Sequence, residues 1–191
     1  MTTAPAKGPY SNFTINANRA TGANSPTLKG KITVIDIDGT AHDFEHAAWG
    51  PNAPTDDSKR EYYSVTVTPL DPALAARQAQ IVAGKLPMTE IANAPEGLKL
   101  DTLGRGVLFE TTKEERAAAE AAGKKVRTYF GAALVLLPSG LKAIDLAARK
   151  VDAHNFHSGW ANLHDRKAAA EARSSRPAAK QPGADRKAQH G

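Results

Sequence analysis

Several features that the sequence lacks narrow the classes of protein to be considered. None of the 191 residues is cysteine, which excludes a disulfide scaffold, a thiolate zinc site and cysteine-based catalysis. No run approaches the roughly 18 consecutive apolar residues that a membrane-spanning helix needs. The first residues carry no apolar segment of the kind found in a secretory signal. We therefore expect a cytoplasmic protein with no membrane partner.

Aromatic side chains are also scarce, and the positive charge is unevenly spread. Aromatics make up 6% of the chain, so the core must rest on a few strands rich in valine, isoleucine, leucine and tyrosine. Residues 165–191 contain seven basic and three acidic side chains, whereas residues 1–164 contain 18 and 17. We therefore predict a flexible arm over residues 1–25, a β-rich domain over residues 26–164 and a disordered basic tail over residues 165–191.

Alternating patterns and β-branched residues predict most of the strands. These segments cover residues 10–15, 28–37, 40–49, 60–68, 106–111 and 127–137. Asp38 and Gly39 supply a tight turn between the second and third of them. Within the fourth, Tyr63, Val65 and Val67 alternate with polar residues, so we expect these three side chains to face the core.

Capping residues predict two helices. Asp71 followed by Pro72 indicates the start of a helix that packs on the sheet and ends near Gly84. Thr112 and Glu115 have the spacing of a capping box, which opens a second helix on the surface.

The end of the predicted domain completes the fold prediction. Residues 141–151 fit either a strand or a helix, and a short helix is expected from about Trp160. The resulting order of three strands, a helix and further strands matches the OB type of barrel. We therefore predict a mainly β (α+β) fold, an OB-like five-stranded barrel with one packed helix, a helical insertion and a disordered C-terminal tail.

An apolar strand leads into the stretch Asp36-Ile37-Asp38-Gly39-Thr40. It resembles the first motif of haloacid-dehalogenase-type phosphatases, a resemblance that implies Asp36 as nucleophile, Asp38 as general acid/base and a Mg²⁺ ion. The strand–helix alternation and the later acidic pair of that family do not follow it. We favour a hairpin turn with solvated aspartates and keep the phosphatase as an alternative.

Basic and aromatic residues recur in and beside several predicted strands. Arg60 and Tyr62 share the face opposite Tyr63, and a cation beside an exposed aromatic ring is typical of a stacking platform for unpaired bases. An ordinary solvated sheet face would fit the same pattern. The predicted nucleic-acid-binding residues are Lys29, Lys31, Trp49, Lys59, Arg60, Tyr62, Lys124, Lys125 and Arg127.

Three histidines, at positions 154, 157 and 164, are the only group with metal-ligand chemistry that we single out. Their spacing, without an acidic or cysteine partner, is common by chance, so we predict no metal site and no cofactor.

Two segments add a resemblance to a known family. Residues 28–34 and 62–67, together with Ala47-Ala48-Trp49, resemble pieces of single-stranded-DNA-binding proteins and of small OB-like proteins of plasmids, phages and integrative elements. The resemblance implies a non-enzymatic protein that binds single-stranded nucleic acid. Bacterial members of that family end in an acidic tip, whereas this chain ends in Gln189-His190-Gly191 after a basic stretch, so recruitment of partners by such a tip is not expected.

The third alternative is a structural or protein-interaction module of a mobile element or virion, whose tail binds an acidic protein partner. The sequence also leaves a homo-oligomer open.

Overall fold

The computed structural model describes residues 10–20, 22–54, 60–85, 102–151 and 156–164. Within these ranges the chain forms eight strands and two helices. The strands are β1 (Asn12–Ala17), β2 (Leu28–Ile35), β3 (Ala41–Asn52), β4 (Tyr62–Pro69), β5 (Arg105–Glu110), β6 (Tyr129–Leu137), β7 (Gly140–Lys150) and β8 (Phe156–Leu163). The helices are α1 (Pro72–Val82) and α2 (Lys113–Ala121).

The eight strands form one closed antiparallel barrel in which each strand pairs with its neighbours in sequence. β1 closes the barrel by pairing with β8, with Phe13 opposite Gly159. The predicted β-rich barrel is confirmed, but five is the wrong number of strands. The wall also begins before residue 26, where the sequence placed the start of the domain, because β1 lies within the first 25 residues.

Two of the extra strands correct specific predictions. The segment that fitted either a strand or a helix is β7, which runs to Lys150. The helix expected from about Trp160 is wrong, because that residue lies in β8. Pairing with β7 on one side and β1 on the other satisfies the backbone of β8, and this long-range pairing decides its conformation.

Alternate residues of each strand fill the interior of the barrel. Tyr63, Val65 and Val67 face inward as predicted. Phe13 and Phe44 are among the largest side chains that are completely enclosed. The interior is therefore a packed core, as expected for a barrel of this size.

Helix α1 covers the outside of the barrel at β4 and β6, and Leu141 of β7 shares its apolar cluster. The Asp71 side chain accepts hydrogen bonds from the backbone N–H groups of Ala73 and Leu74 at 2.8 and 2.9 Å, which confirms the predicted cap. Ile81 packs in a second apolar cluster, which the outward-facing Leu134 and Leu136 of β6 share. This helix explains why β6 is apolar on both faces.

Helix α2 stands at one end of the barrel. Thr112 and Glu115 form the predicted capping box, with Glu115 N–H donating to Thr112 Oγ1 and Thr112 N–H donating to Glu115 Oε2. We call the end of the barrel where β5 ends and β6 begins the mouth. The opposite end, which carries the turn over residues 36–40, is the hairpin end.

Within the described ranges, neither helix is long and apolar enough to cross a membrane.

Candidate nucleic-acid interface

Aromatic side chains lie in one row across the outside of the barrel near the mouth. Strand register places Tyr62 opposite Phe109, Phe109 opposite Phe130, Phe130 opposite Ala147 and Ala147 opposite Trp160. The inward neighbours of these residues are buried, so the row itself faces outward. Trp160 is 43% exposed. The result is an aromatic band, Tyr62–Phe109–Phe130–Trp160, with Ala147 as its one small member.

Two guanidinium groups lie against the centre of this band. The Cζ atoms of Arg127 and Arg60 are 4.5 and 5.2 Å from the centroid of the Phe130 ring, within the range of a cation–π contact. The Phe109 and Phe130 ring centroids are 5.7 Å apart. The ring of Phe130 therefore positions two cations.

Arg60 also forms an ion pair with α2. Its Nη2 donates to Glu115 Oε1 at 2.5 Å. The hydrogen bond from Arg60, with a second one from the Thr112 backbone, holds the pKa of Glu115 below its usual range. Glu115 therefore stays ionised and partly offsets the charge of Arg60.

A cleft separates the band from α2 and the segment that follows it. It consists of two neighbouring cavities of about 520 and 230 Å³, and we call it the outer cleft. Its walls are aromatic and basic, with four cations and one carboxylate. The residues that define it are Glu115, Lys124, Lys125, Arg127, Phe130, Ala147, Arg149 and Trp160.

The predicted binding residues fall into three groups. Arg127, Lys124 and Lys125 line the outer cleft, whereas Arg60 lies over Phe130 at the centre of the band and Tyr62 forms the end of the band away from Trp160. Lys59 lies outside the described residues. The remaining three, Lys29, Lys31 and Trp49, belong to another part of the wall.

Lys29 and Lys31 lie on β2, on the wall opposite β6. In a closed barrel of eight strands, β2 and β6 are four strands apart in either direction, so their outward side chains point away from each other. Trp49 lies on β3, opposite Ser64, and its indole Nε1–H donates to the Asn24 carbonyl at 3.1 Å. The barrel therefore does not bring these three residues to the outer cleft.

The sequence prediction missed four residues of this surface: Phe109, Phe130, Arg149 and Trp160. Phe130 follows the buried Tyr129, so alternation along β6 alone places it outward. Trp160 could not be placed, because its segment was predicted as a helix. The pairing of Trp160 with Ala147 is what brings it to the cleft.

Beside the outer cleft, the mouth of the barrel forms a second cleft of about 680 Å³, which we call the mouth cleft. Tyr129 makes edge-to-face contacts with His157, at 4.9 Å between ring centroids, and with Tyr63, at 5.9 Å. Arg116 Nη2 donates to Glu110 Oε1 at 2.8 Å at the rim. The defining residues are Glu110, Arg116, Tyr129, Arg149, Lys150 and His157.

Two titratable groups of the mouth cleft, Tyr129 and His157, are shifted toward their neutral forms. Burial raises the pKa of Tyr129, and the nearby Glu110 adds to the shift. Burial lowers the pKa of His157 despite the opposing effect of Glu110, and the charges of Lys150 and Arg116 lower it further. Both rings are therefore uncharged hydrogen-bonding groups at neutral pH.

The aspartates of the phosphatase-like motif lie at the hairpin end, far from either cleft. Asp36 is 4% exposed and accepts hydrogen bonds from the Ile37 N–H at 2.7 Å, the Ser139 N–H at 3.2 Å and the Ser139 hydroxyl. Burial raises the pKa of Asp36, but these hydrogen bonds and the nearby His42 outweigh it, so the pKa lies below its usual range. The exposed Asp38 accepts from the Thr40 N–H at 2.9 Å. Both carboxylates thus hold turns of an antiparallel wall.

The predicted histidines do not lie close together. His157 and His164 lie near opposite ends of β8, roughly 23 Å apart at the usual rise of a strand. His164 Nδ1 is 2.8 Å from an Asp145 carboxylate oxygen. His154 lies outside the described residues. In the part of the chain that the structure describes, no three acidic or histidine side chains are close enough to hold a metal ion.

The outer cleft thus combines an exposed indole with four cations, and the mouth cleft combines neutral aromatic groups with a basic rim. Neither arrangement contains a nucleophile activated by a neighbouring base. No family model, curated protein or solved structure matches this chain.

Proposed function

We propose that this protein is a non-enzymatic binder of single-stranded nucleic acid, most simply DNA, and that the strand lies in the outer cleft. The observation that carries the proposal is the exposed Trp160 beside Lys124, Lys125, Arg127 and Arg149. Unpaired bases need a π surface to stack on, and the phosphates that link them need cations at short range. The outer cleft offers both within one surface.

The residues divide these two tasks between them. The indole of Trp160 is the stacking surface, because it is the most exposed ring of the aromatic band. Arg127 is held over Phe130, so less side-chain entropy is lost when it pairs with a phosphate. Lys124 and Lys125 are exposed beside it and add charge that salt screens.

The basic segment over residues 165–191 lies outside the described residues and has a supporting role in this proposal. Its seven basic side chains add affinity for phosphates without selecting a sequence. Selectivity for single strands comes from stacking in the outer cleft, because a base paired within a duplex does not expose its face.

Fluorescence anisotropy with a labelled oligo-dT at low salt tests the proposal. We expect wild-type protein to bind and Lys124→Glu/Lys125→Glu to lose about tenfold or more in affinity. Lys29→Glu/Lys31→Glu is the matched control, since it makes the same change of charge on the opposite wall. We expect its affinity to stay within about twofold of wild type, because long-range charge alone is screened at this distance.

A second pair of variants tests stacking. Trp160→Ala should cost about 1–3 kcal/mol of binding free energy, whereas Trp49→Ala should cost less because Trp49 lies on β3, outside the cleft. Absence of binding by wild type would overturn the proposal. Equal losses for the two lysine pairs would show that only net charge matters and would remove the outer cleft as the site.

A further inference from the structure

The outer cleft and the mouth cleft meet at the rim of the barrel. Lys125 and Val126 line both cavities of the outer cleft and also the mouth cleft. Arg149 lines the smaller outer cavity and the mouth cleft. A nucleic-acid strand that lies along Trp160 can therefore continue over Lys125 and Arg149 into the mouth cleft without leaving a basic surface.

The mouth cleft differs from the outer cleft in its floor. Tyr129 is almost completely buried and presents its edge to the half-buried His157. The exposed Lys150 extends the basic rim at the end of β7. The floor is therefore aromatic and polar but uncharged, and the cations stand around it.

We propose that the mouth cleft binds one nucleotide, with its base at the Tyr129–His157 floor and its phosphate at Arg149 and Lys150. This inference rests on the proposed function in one respect: the nucleotide is the end of a strand that occupies the outer cleft. A free nucleotide has the same chemistry and is the other source that the experiment separates.

The size and chemistry of the cleft favour a nucleotide over a simple anion. A volume of about 680 Å³ lies in the range of about 300–1,000 Å³ typical of sites for small organic ligands. The neutral His157 ring has one donor and one acceptor nitrogen, which matches the edge of a base. Glu110 and Glu120, on the α2 side of the cleft, repel a bare anion and leave Arg149 and Lys150 as the place for the phosphate.

Proton NMR of the full chain can follow the two clefts separately. The His157 ring signals report on the mouth cleft, and the Trp160 indole signal reports on the outer cleft. They are assigned by comparison with His157→Gln and Trp160→Phe, and the chain has only two tryptophans. The probes are an oligo-dT of about 12 nucleotides, thymidine monophosphate and inorganic phosphate.

We expect the oligonucleotide to shift both signals and thymidine monophosphate to shift His157. Inorganic phosphate at the same concentration should leave His157 in place. Lys150→Gln should weaken the thymidine monophosphate titration about threefold or more. Lys142→Gln, on the same strand at the hairpin end, should leave it unchanged.

The outcomes separate this inference from the proposed function. Suppose that the oligonucleotide shifts the Trp160 signal, but neither the oligonucleotide nor thymidine monophosphate shifts the His157 signals. The mouth site is then overturned and strand binding stands. If only thymidine monophosphate shifts His157, the site is supported with a free nucleotide as its source, and the proposed strand binding fails. An equal response to inorganic phosphate would reduce the site to an anion contact and overturn it.

Discussion

The two ends of the barrel use their polar groups in different ways. At the hairpin end, the buried Asp36 accepts three hydrogen bonds from Ile37 and Ser139 and so joins the β2–β3 turn to the β6–β7 turn. At the mouth, Lys125, Arg149 and other basic side chains surround clefts. The comparison shows that a conspicuous pair of aspartates can be structural, while less conspicuous side chains form the surface suited to a ligand.

The connections beside the two sets of polar groups differ. Tight turns join β2 to β3 and β6 to β7 around Asp36, while the longer connection at this end, from β4 to β5, contains α1 on the outside of the barrel. At the mouth, the chain between β5 and β6 is long enough to form α2 and the segment that carries Lys124, Lys125 and Arg127. Longer connections on a rigid wall are the usual carriers of binding residues.

The largest effect on stability is expected from Asp36→Asn. Three donors converge on the carboxylate, and an amide with a single oxygen cannot accept from all of them, so one or more donors lose their partner. We expect the free energy of unfolding in urea to fall by about 2–4 kcal/mol. Oligo-dT binding by the folded variant should be unchanged.

Asp38→Asn is the matched control, since it changes the other aspartate of the same turn. Asp38 is exposed and accepts one hydrogen bond from the Thr40 N–H, so we expect a loss of about 1 kcal/mol or less. Two results together would contradict the contrast between the two ends and support the phosphatase hypothesis. Both variants would keep wild-type stability, and wild-type protein would release phosphate from an aryl phosphate in the presence of Mg²⁺.

A smaller effect on stability is expected from the protonation of histidines that are buried to different depths. His46 is enclosed in the barrel, where Nε2 lies 2.8 Å from the Thr14 carbonyl and Nδ1 is buried without a hydrogen-bond partner. Burial lowers its pKa, although the Thr14 carbonyl opposes the shift. The unfolded chain therefore takes up a proton first, so stability is full above about pH 6.5 and falls as the pH drops through the folded pKa.

Unfolding curves between pH 7 and pH 5 check this prediction. His46→Leu should flatten the loss of stability at low pH, because the replacement cannot take up a proton. His157→Leu should flatten it less, since His157 is only half-buried at the mouth. A steeper contribution from His157 than from His46 would contradict the view that the interior, rather than the mouth, sets the acid sensitivity.

The smallest effect is expected on binding from Glu115→Gln. Removing this carboxylate takes away the anionic partner of Arg60 and raises the net charge beside the outer cleft. Glutamine still accepts the Thr112 N–H, so the capping box is kept. We expect about two- to fourfold tighter oligo-dT binding at low salt, and less at high salt.

Glu114→Gln provides the comparison, because it makes the same change of charge one residue away without lining the cleft. An equal gain in oligo-dT affinity from both variants would mean that net charge, rather than the Arg60–Glu115 contact, controls binding in the outer cleft.

Local signals predicted the parts of the fold that depend on neighbouring residues. The Asp71 cap, the Thr112 capping box and the alternation around Val65 are all confirmed, because each is decided within a few positions. The number of strands, in contrast, depends on pairing between segments that are far apart in the sequence. β8 contains Gly159 and no β-branched residue, and only its pairing partners on both sides make it a strand.

The candidate site was predicted in part for the same reason. Arg60, Tyr62 and Arg127 were predicted as neighbours, and the structure places Tyr62 on the outside of β4 and both arginines over the Phe130 ring. Lys31 was predicted with them as a basic residue of a neighbouring strand. Closure of the barrel with eight strands places β2 on the wall opposite β6. No local sequence pattern reports how far apart two strands lie around the barrel.

The pairing of β1 with β8 has a consequence for how the chain reaches its native state. The hydroxyl of Ser11 donates to Asn162 across 151 residues of sequence, so the seam between the first and last strands is among the least local contacts of the molecule. Contacts of such long range slow folding, because the entropy of closing the chain is lost before the contact forms. During synthesis, the strands from β1 to β7 can pair in order while the free edge of β1 waits for β8. The growing sheet therefore has two open edges until the last strand leaves the ribosome, and this interval is when the protein is most exposed to wrong pairing with another chain.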